Sequence, residues 1–259
     1  MSERATTVVT VSYDGRPFAG FQRQPGQVTV QGRLEDALAI ALHRTVVTAC
    51  AGRTDSGVHA LAQVISFPSQ ESDVPNRDLL RSLNALAGEG IAVVDVRTAP
   101  PQFDARHSAV AREYRYRVVT GPVPPLFLRD QAWWVKGPLD LAAMRDAASQ
   151  LVGRHDFRTF CVSGSSEGKR TVRTIDLLEI EPSCEMGEHC IVVRIIGRSF
   201  LHSMVRIIVG SLVEVGRGKH PAHWMGDVLE AQVRGAGGQT APPHGLTLWH
   251  VTYPEELWL

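Results

Sequence analysis

The feature that most restricts the fold of this chain is an order of elements that occurs twice. In the first pass, Thr6 to Tyr13 (TTVVTVSY) is a β-branched run that predicts a strand. Val30 to Leu42 repeats its apolar residues at helical spacing and puts Leu34, Leu38 and Ala41 on one face. Short strands are expected near Val46 to Ala51 and Ala62 to Phe67, a helix over Asp78 to Leu86, and a strand over Ile91 to Arg97. In the second pass, Val110 to Thr120 predicts a strand and Leu139 to Leu151 a helix, with Gly153 as its stop signal. Strands over Thr171 to Ile180 and Cys190 to Ile196 flank a turn at Gly187. A helix over Ser203 to Val215 closes at Gly216, an extra helix runs near Ala222 to Val233, and Leu246 to Tyr253 is the last strand.

Each pass reads β-α-β-β-α-β, the order of a ferredoxin-like unit. The expected class is therefore α+β, with two ferredoxin-like halves. Together they would form a mainly antiparallel sheet with helices on one face and a central cleft suited to a ligand. The expected halves are residues 1–105 and 106–259, joined through the stretch from Pro100-Pro101 to Ala109.

Lys+Arg and Asp+Glu both number 27, so the chain lacks the basic excess of a simple nucleic-acid binder. The distribution matters more than the sum. Arg106-His107, Arg112 to Arg117 and Lys169 to Arg173 are locally basic, while Glu179-Ile180-Glu181 and Glu255-Glu256 are acidic, which predicts one basic face. Cys50, Cys161, Cys184 and Cys190 form no Cys-x-x-Cys pair; Cys184, His189 and Cys190 lack zinc spacing, so no metal is expected. A reducing compartment fits these thiols. Met1-Ser2-Glu3-Arg4 does not begin a signal peptide, and no apolar run reaches the roughly 20 residues of a membrane helix. The expected location is cytoplasmic, with no membrane contact.

The chemistry concentrates in Gly52-Arg53-Thr54-Asp55-Ser56-Gly57-Val58-His59, a loop between two predicted strands. Asp-Ser-Gly suits a tight turn, in which the aspartate accepts local backbone bonds. The same residues also suit a presented carboxylate: the glycines let a ligand approach the backbone, Arg53 favours the ionised acid, and an ionised acid can act as a nucleophile. His59 offers Asp55 an acid–base partner, which would make a hydrolase, but no Gly-x-Ser-x-Gly elbow, HExxH helix or P-loop accompanies it. Gly216-Arg217-Gly218-Lys219 is read as a helix cap instead. On the strand over 110–120, period two places Tyr114 and Tyr116 on one face and Arg115 and Arg117 on the other. That strand is either ordinary and half-buried, or an aromatic base platform beside phosphate-binding arginines. Arg206 stands among Val205, Ile207 and Ile208 on an apolar helix and needs a partner, whether a surface ion pair or a carboxylate across the cleft.

Taken in order, these segments resemble the TruA family of tRNA pseudouridine synthases. The resemblance is carried by Tyr13-Asp14-Gly15, Gly20-Phe21-Gln22-Arg23-Gln24, Val30-Gln31 with Leu34-Glu35, the Gly52 to His59 loop, Arg112 to Tyr116, Phe200 to Arg206, and Gly245-Leu246. Two departures are visible: Phe21 stands where Trp is common, and Ser56 where Ala is common. The resemblance implies that Asp55 is the catalytic aspartate and that Tyr114 contacts the target base. It implies that Arg206 pairs with the aspartate and that Arg53 handles the nucleotide. It also implies a homodimer acting without a cofactor on uridines 38 to 40 in the anticodon stem-loop of tRNA. The reaction conserves bond count, so no redox agent or energy source is called for. Whether the carboxylate attacks C1′, adds at C6 or removes a ribose proton stays open, as does a role for Tyr114 in proton handling at C5. A non-catalytic RNA-binding protein and a synthase with other target uridines are the alternatives.

Overall fold

The computed structural model describes residues 5–165, 167–168 and 170–258. The opening Met1 to Arg4 and Lys169 of the third basic run lie outside the described residues. The class is α+β, with ten strands and five α-helices among the described residues. The strands pair mostly antiparallel; β6 (Trp133–Val135) is parallel to β5 (Ala111–Thr120). The chain forms two compact units. One holds the residues up to Arg112 together with the segment from Leu248 on, and the other holds Glu113–Thr247.

The first unit contains β1 (Thr6–Tyr13), α1 (Val30–Leu42), β2 (Ala49–Cys50), β3 (His59–Pro68), α2 (Asn76–Leu86) and β4 (Ile91–Ala99). Its strand order is β4-β1-β3-β10, with β2 on β3 and β10 spanning Leu246–Thr252. The β-branched residues of β1 explain its central place: Val9 and Val11 are fully buried. Helix α1 begins where Thr29 Oγ1 accepts the Gly32 N–H (3.2 Å), and it buries Leu34 and Leu38. Helix α2 starts after Pro75, which cannot itself donate, and buries Leu79 and Leu83 at i, i+4 spacing.

The second unit keeps the expected order as far as its second helix and carries insertions, while most of the strand expected to close it belongs to the first unit. It adds β6 and β7 (Gly153–Asp156) around α3 (Leu141–Ser149), then β8 (Val172–Glu185), β9 (Glu188–Gly197), α4 (Met204–Gly216) and α5 (Trp224–Ala231). Within it the order is β5-β9-β8-β7. Asp140 caps α3 by accepting the Ala143 N–H at 3.0 Å, which starts the helix later than the apolar pattern from Leu139 implied. Gly153 does not stop that helix: it opens β7 at φ +106°, four residues beyond Ser149. Met186 and Gly187, both at positive φ, make the two-residue turn that joins β8 to β9, matching the right-handed twist of the arms. The cap reading of Gly216 to Lys219 holds. Gly218 takes φ +71° and its N–H bonds Val215 O, while Gly216 also brings α4 against α3, since a Cβ there would lie 2.6 Å from Met144 Sδ.

Candidate active site

The Gly52–His59 loop follows β2 and enters β3 in the first unit, and its shape is set by close backbone contacts. A Cβ on Gly15 would lie 2.0 Å from the Val58 carbonyl oxygen, and one on Gly20 3.1 Å from Thr54 O. Only a glycine lets these segments touch. The Phe21 N–H donates to Thr54 O (3.1 Å), and the Val58 N–H donates to Asp55 O (3.1 Å) across a turn in which Gly57 takes φ +79°. Ser56, one of the two departures from the family pattern, donates its hydroxyl to Phe18 O (3.1 Å) and so adds a tie the alanine lacks. Phe21, the other, is fully buried and sits tilted 6.2 Å from the Tyr13 ring. The turn reading and the presented-carboxylate reading are thus compatible. The backbone of residues 55–58 is a turn, and it leaves Asp55 half-buried and Arg53 exposed.

The segment before the loop is pinned by Arg112. Its buried guanidinium donates to Ala51 O from Nε (3.1 Å) and Nη2 (2.9 Å), to Ala109 O (3.2 Å) and to Arg106 O (2.6 Å). This arginine therefore binds backbone carbonyls. Beside it, burial pushes the Cys50 thiol up to about 11, against the pull of Arg53, Arg106 and Arg112. His59 Nδ1 lies 3.3 Å from Asp14 Oδ1 and accepts the Gly15 N–H. Asp14 is held below the usual carboxylate range by the Arg16 side chain. These contacts bind His59 to the Asp14-Gly15 turn.

Two of the resembling segments, together with Thr48, meet at buried Glu35. Its carboxylate accepts from Arg23 Nε (2.8 Å), Gln31 Nε2 (2.9 Å), and Thr48 through both N (3.0 Å) and Oγ1 (3.0 Å). A buried carboxylate with four donors is stably placed. It fixes the 20–24 segment, whose Phe21 in turn holds Thr54.

In the second unit, Tyr114 is buried and meets Phe200 edge to face, with centroids 5.2 Å apart at 87°. Tyr116 is fully buried, donates to Pro242 O (2.8 Å), and leaves space only for a glycine at 245, where a Cβ would lie 2.5 Å from its ring. The alternation holds on β5, but Arg115 and Arg117 are committed to ion pairs. Arg115 Nε bonds Glu113 (2.8 Å) and Arg117 Nε bonds Glu185 (2.7 Å). Arg194 joins Glu113 as well (3.0 Å). Burial works against ionising Glu113, yet Arg194 and Arg115 outweigh it and hold the carboxyl below its usual range. Of the two readings of this strand, these contacts fit the ordinary half-buried one; exposed arginines elsewhere include Arg53, Arg106, Arg170 and Arg198. Arg206 is half-buried on the first turn of α4, just after Ser203, which takes the strained φ of 56°. Its Nε donates to Ala241 O (2.8 Å), and its carbonyl accepts the Ala241 N–H (3.1 Å). Arg53 and Asp55 thus share one loop of the first unit, and Tyr114 and Arg206 belong to the second.

Cys184 and His189 face each other across β8 and β9, whereas Cys190 pairs with Ser183 and points to the opposite face. The two thiols cannot share an ion. Among the described residues, no three His, Cys, Asp or Glu side chains cluster as metal ligands, and no helix is long and apolar enough to cross a membrane.

The family model described as tRNA pseudouridine synthase matches residues 9–108 and 147–254. The chain is 45% identical over 249 residues to tRNA pseudouridine synthase A of Frankia casuarinae, covering 95% of this chain and 88% of that one. It is 43% identical to the protein of the same name from Bacillus subtilis, covering 94% and 97%. It is 41% identical to that of Shouchella clausii, covering 96% and 94%. With the family model matching most of the chain and relatives 41–45% identical over nearly its whole length, the chain belongs to the tRNA pseudouridine synthase family.

Proposed function

We propose that this chain is an isomerase that converts uridine to pseudouridine in tRNA, with Asp55 as its catalytic carboxylate. The observation that carries this reading is the construction of the Asp55 loop. Its neighbours Thr54, Ser56 and Val58 are each fixed by close contact or hydrogen bond, while Asp55 keeps part of its surface open. A carboxylate built for packing alone gives no reason for so rigid a mount.

The reaction breaks the bond from ribose C1′ to N1 of uracil, turns the freed ring, and joins C5 to C1′, releasing the C5 proton. Bond count is conserved, and no cofactor is assigned. The target nucleotide must leave its stack, at a few kcal/mol. Stacking on Tyr114 would return about 1–3 kcal/mol. Arg53, exposed beside Asp55, is assigned to the phosphate or the space of the flipped nucleotide, and Arg206 to orienting charge at the reacting centre. The resemblance extends the reading to uridines 38 to 40 of the anticodon stem-loop, to a homodimer and to a cytoplasmic setting. A dimer would let a neutral chain supply a basic groove from two copies.

The test is release of tritium from tRNA labelled at uridine C5. The wild type releases it, Asp55→Asn does not, and tRNA affinity stays near wild type in the variant. A tRNA with cytidine at positions 38 to 40 should give no release. Tight tRNA binding without release by the wild type would leave an RNA-binding protein and overturn the enzyme reading. Turnover by Asp55→Asn would overturn the residue.

A further inference from the structure

We propose that Gln63 is a positioning residue for Asp55, acting through Tyr13 and Thr54; this rests on Asp55 being the catalytic carboxylate. Gln63 lies on β3, within the apolar run Ala62-Gln63-Val64-Ile65, and is fully buried. A buried carboxamide needs partners for its donors and acceptor. Here Oε1 accepts from Gly52 N (3.3 Å) and Val64 N (3.2 Å), and Nε2 donates to Gly52 O (2.6 Å). The same Nε2 lies 3.4 Å from the Tyr13 hydroxyl, which is 2.8 Å from Thr54 Oγ1 in a buried contact.

One amide therefore clasps both polar groups of the Gly52 peptide and reaches Thr54 through a phenol. Gly52 and Thr54 bracket Arg53, and Asp55 follows directly. Fixing the backbone on both sides of Arg53 limits where the Asp55 carboxylate can stand. The chemistry of the side chain is specific. Leucine would leave the Gly52 N–H and C=O without this partner, glutamate would lose the donor to Gly52 O, and asparagine is a methylene short. A residue that merely filled space on β3 would need none of these bonds.

The experiment is single-turnover tritium release, with tRNA Kd and thermal midpoint measured on the same preparations. The variants are Tyr13→Phe, Thr54→Val, their double mutant and Gln63→Leu, with Asp55→Asn alongside. Tyr13→Phe and Thr54→Val should each slow the chemical step about 10-fold and Gln63→Leu about 100-fold, because small misplacements of a reacting group carry such penalties. Kd should not move, and the double mutant should be no slower than the worse single one, since both cut the same chain. If Gln63→Leu fails to fold, the Tyr13 and Thr54 pair decides. Wild-type rates in the folded singles, singles whose effects multiply, or rate and affinity falling in proportion would each overturn the proposal. An inert Asp55→Asn beside unaffected Tyr13→Phe and Thr54→Val removes the positioning role alone. An active Asp55→Asn removes the Asp55 assignment and this proposal with it.

Discussion

The contact between Gly15 and Val58 turns loop placement into a measurable quantity. Replacing Gly15 by alanine puts a Cβ 2.0 Å from Val58 O, 2.4 Å from its carbonyl carbon and 2.8 Å from its nitrogen. Carbon–oxygen contacts settle near about 3.3 Å, so the two segments must part by about 1 Å. The obstacle is backbone, so no side chain can swing aside. Val58 is tied by its N–H to Asp55 O (3.1 Å), and a displaced Val58 carries the turn and its carboxylate along. Overpacking of this kind costs about 1–3 kcal/mol of stability. A 1 Å error at a reacting group costs about 100-fold in rate. Gly15→Ala should therefore fold, melt a few degrees lower and turn over about 100-fold more slowly in single-turnover tritium release, with tRNA affinity close to wild type. Gly187→Ala is the control. Gly187 sits at φ +81° in the β8–β9 turn with nothing within 4 Å of its Cβ, so alanine there should lose about 1–2 kcal/mol of stability and no rate. A folded Gly15→Ala at the wild-type rate would refute the argument that the backbone at Val58 sets the position of Asp55.

Three further outcomes follow from the same geometry. Gly245→Ala drives a Cβ to 2.5 Å from the Tyr116 ring and should destabilise the second unit by about 1–3 kcal/mol, read as a lower denaturation midpoint; an unchanged midpoint would mean that the ring yields freely. In the native protein, iodoacetamide at neutral pH should label exposed Cys184 first. Cys50, whose thiol burial pushes up to about 11, should resist until denaturation, and early labelling at Cys50 in peptide maps would contradict the packing around it. Arg44 holds Asp73 below its ordinary value of 3.8 with bonds of 2.9 and 2.7 Å. A depressed carboxyl stabilises the fold above its unfolded value and loses that contribution as pH falls through the folded one, so Asp73→Asn should lower the midpoint at pH 7 and converge with wild type once the pH falls below the carboxyl's lowered value in the fold.

Much of the fold was legible because periodicity is a local property. The β-branched run over 6–13 and the i, i+4 leucines of α1 report directly on which face is buried, and the elements run Thr6–Tyr13 and Val30–Leu42 as expected. Elements that depend on partners left little trace. β6 has three residues, too short to carry a pattern, and β7 begins at a glycine whose other common meaning is a helix stop. Nothing local announces that the segment from Leu248 on packs with the residues up to Arg112, because that association is made by pairing far along the chain.

The arginines were the hardest residues to read, and the reason is physical. Alternation on β5 puts Glu113 on the same face as Arg115 and Arg117 but says nothing about what other strands bring there, and they bring Glu185 to Arg117 and Arg194 to Glu113. Arg112 is buried against three carbonyls, a use of guanidinium that composition cannot distinguish from phosphate binding. Gln63 illustrates the reverse case. A lone carboxamide in the apolar run Leu61 to Phe67, a few residues past an aspartate loop, is a buried polar group that must find partners, and the nearest backbone in need of partners is that loop. The signal was present in the sequence as a break in an apolar pattern. Such breaks repay the question of which peptide group they serve, because a buried amide is costly unless bonded and a functional loop needs external bonds to hold its shape.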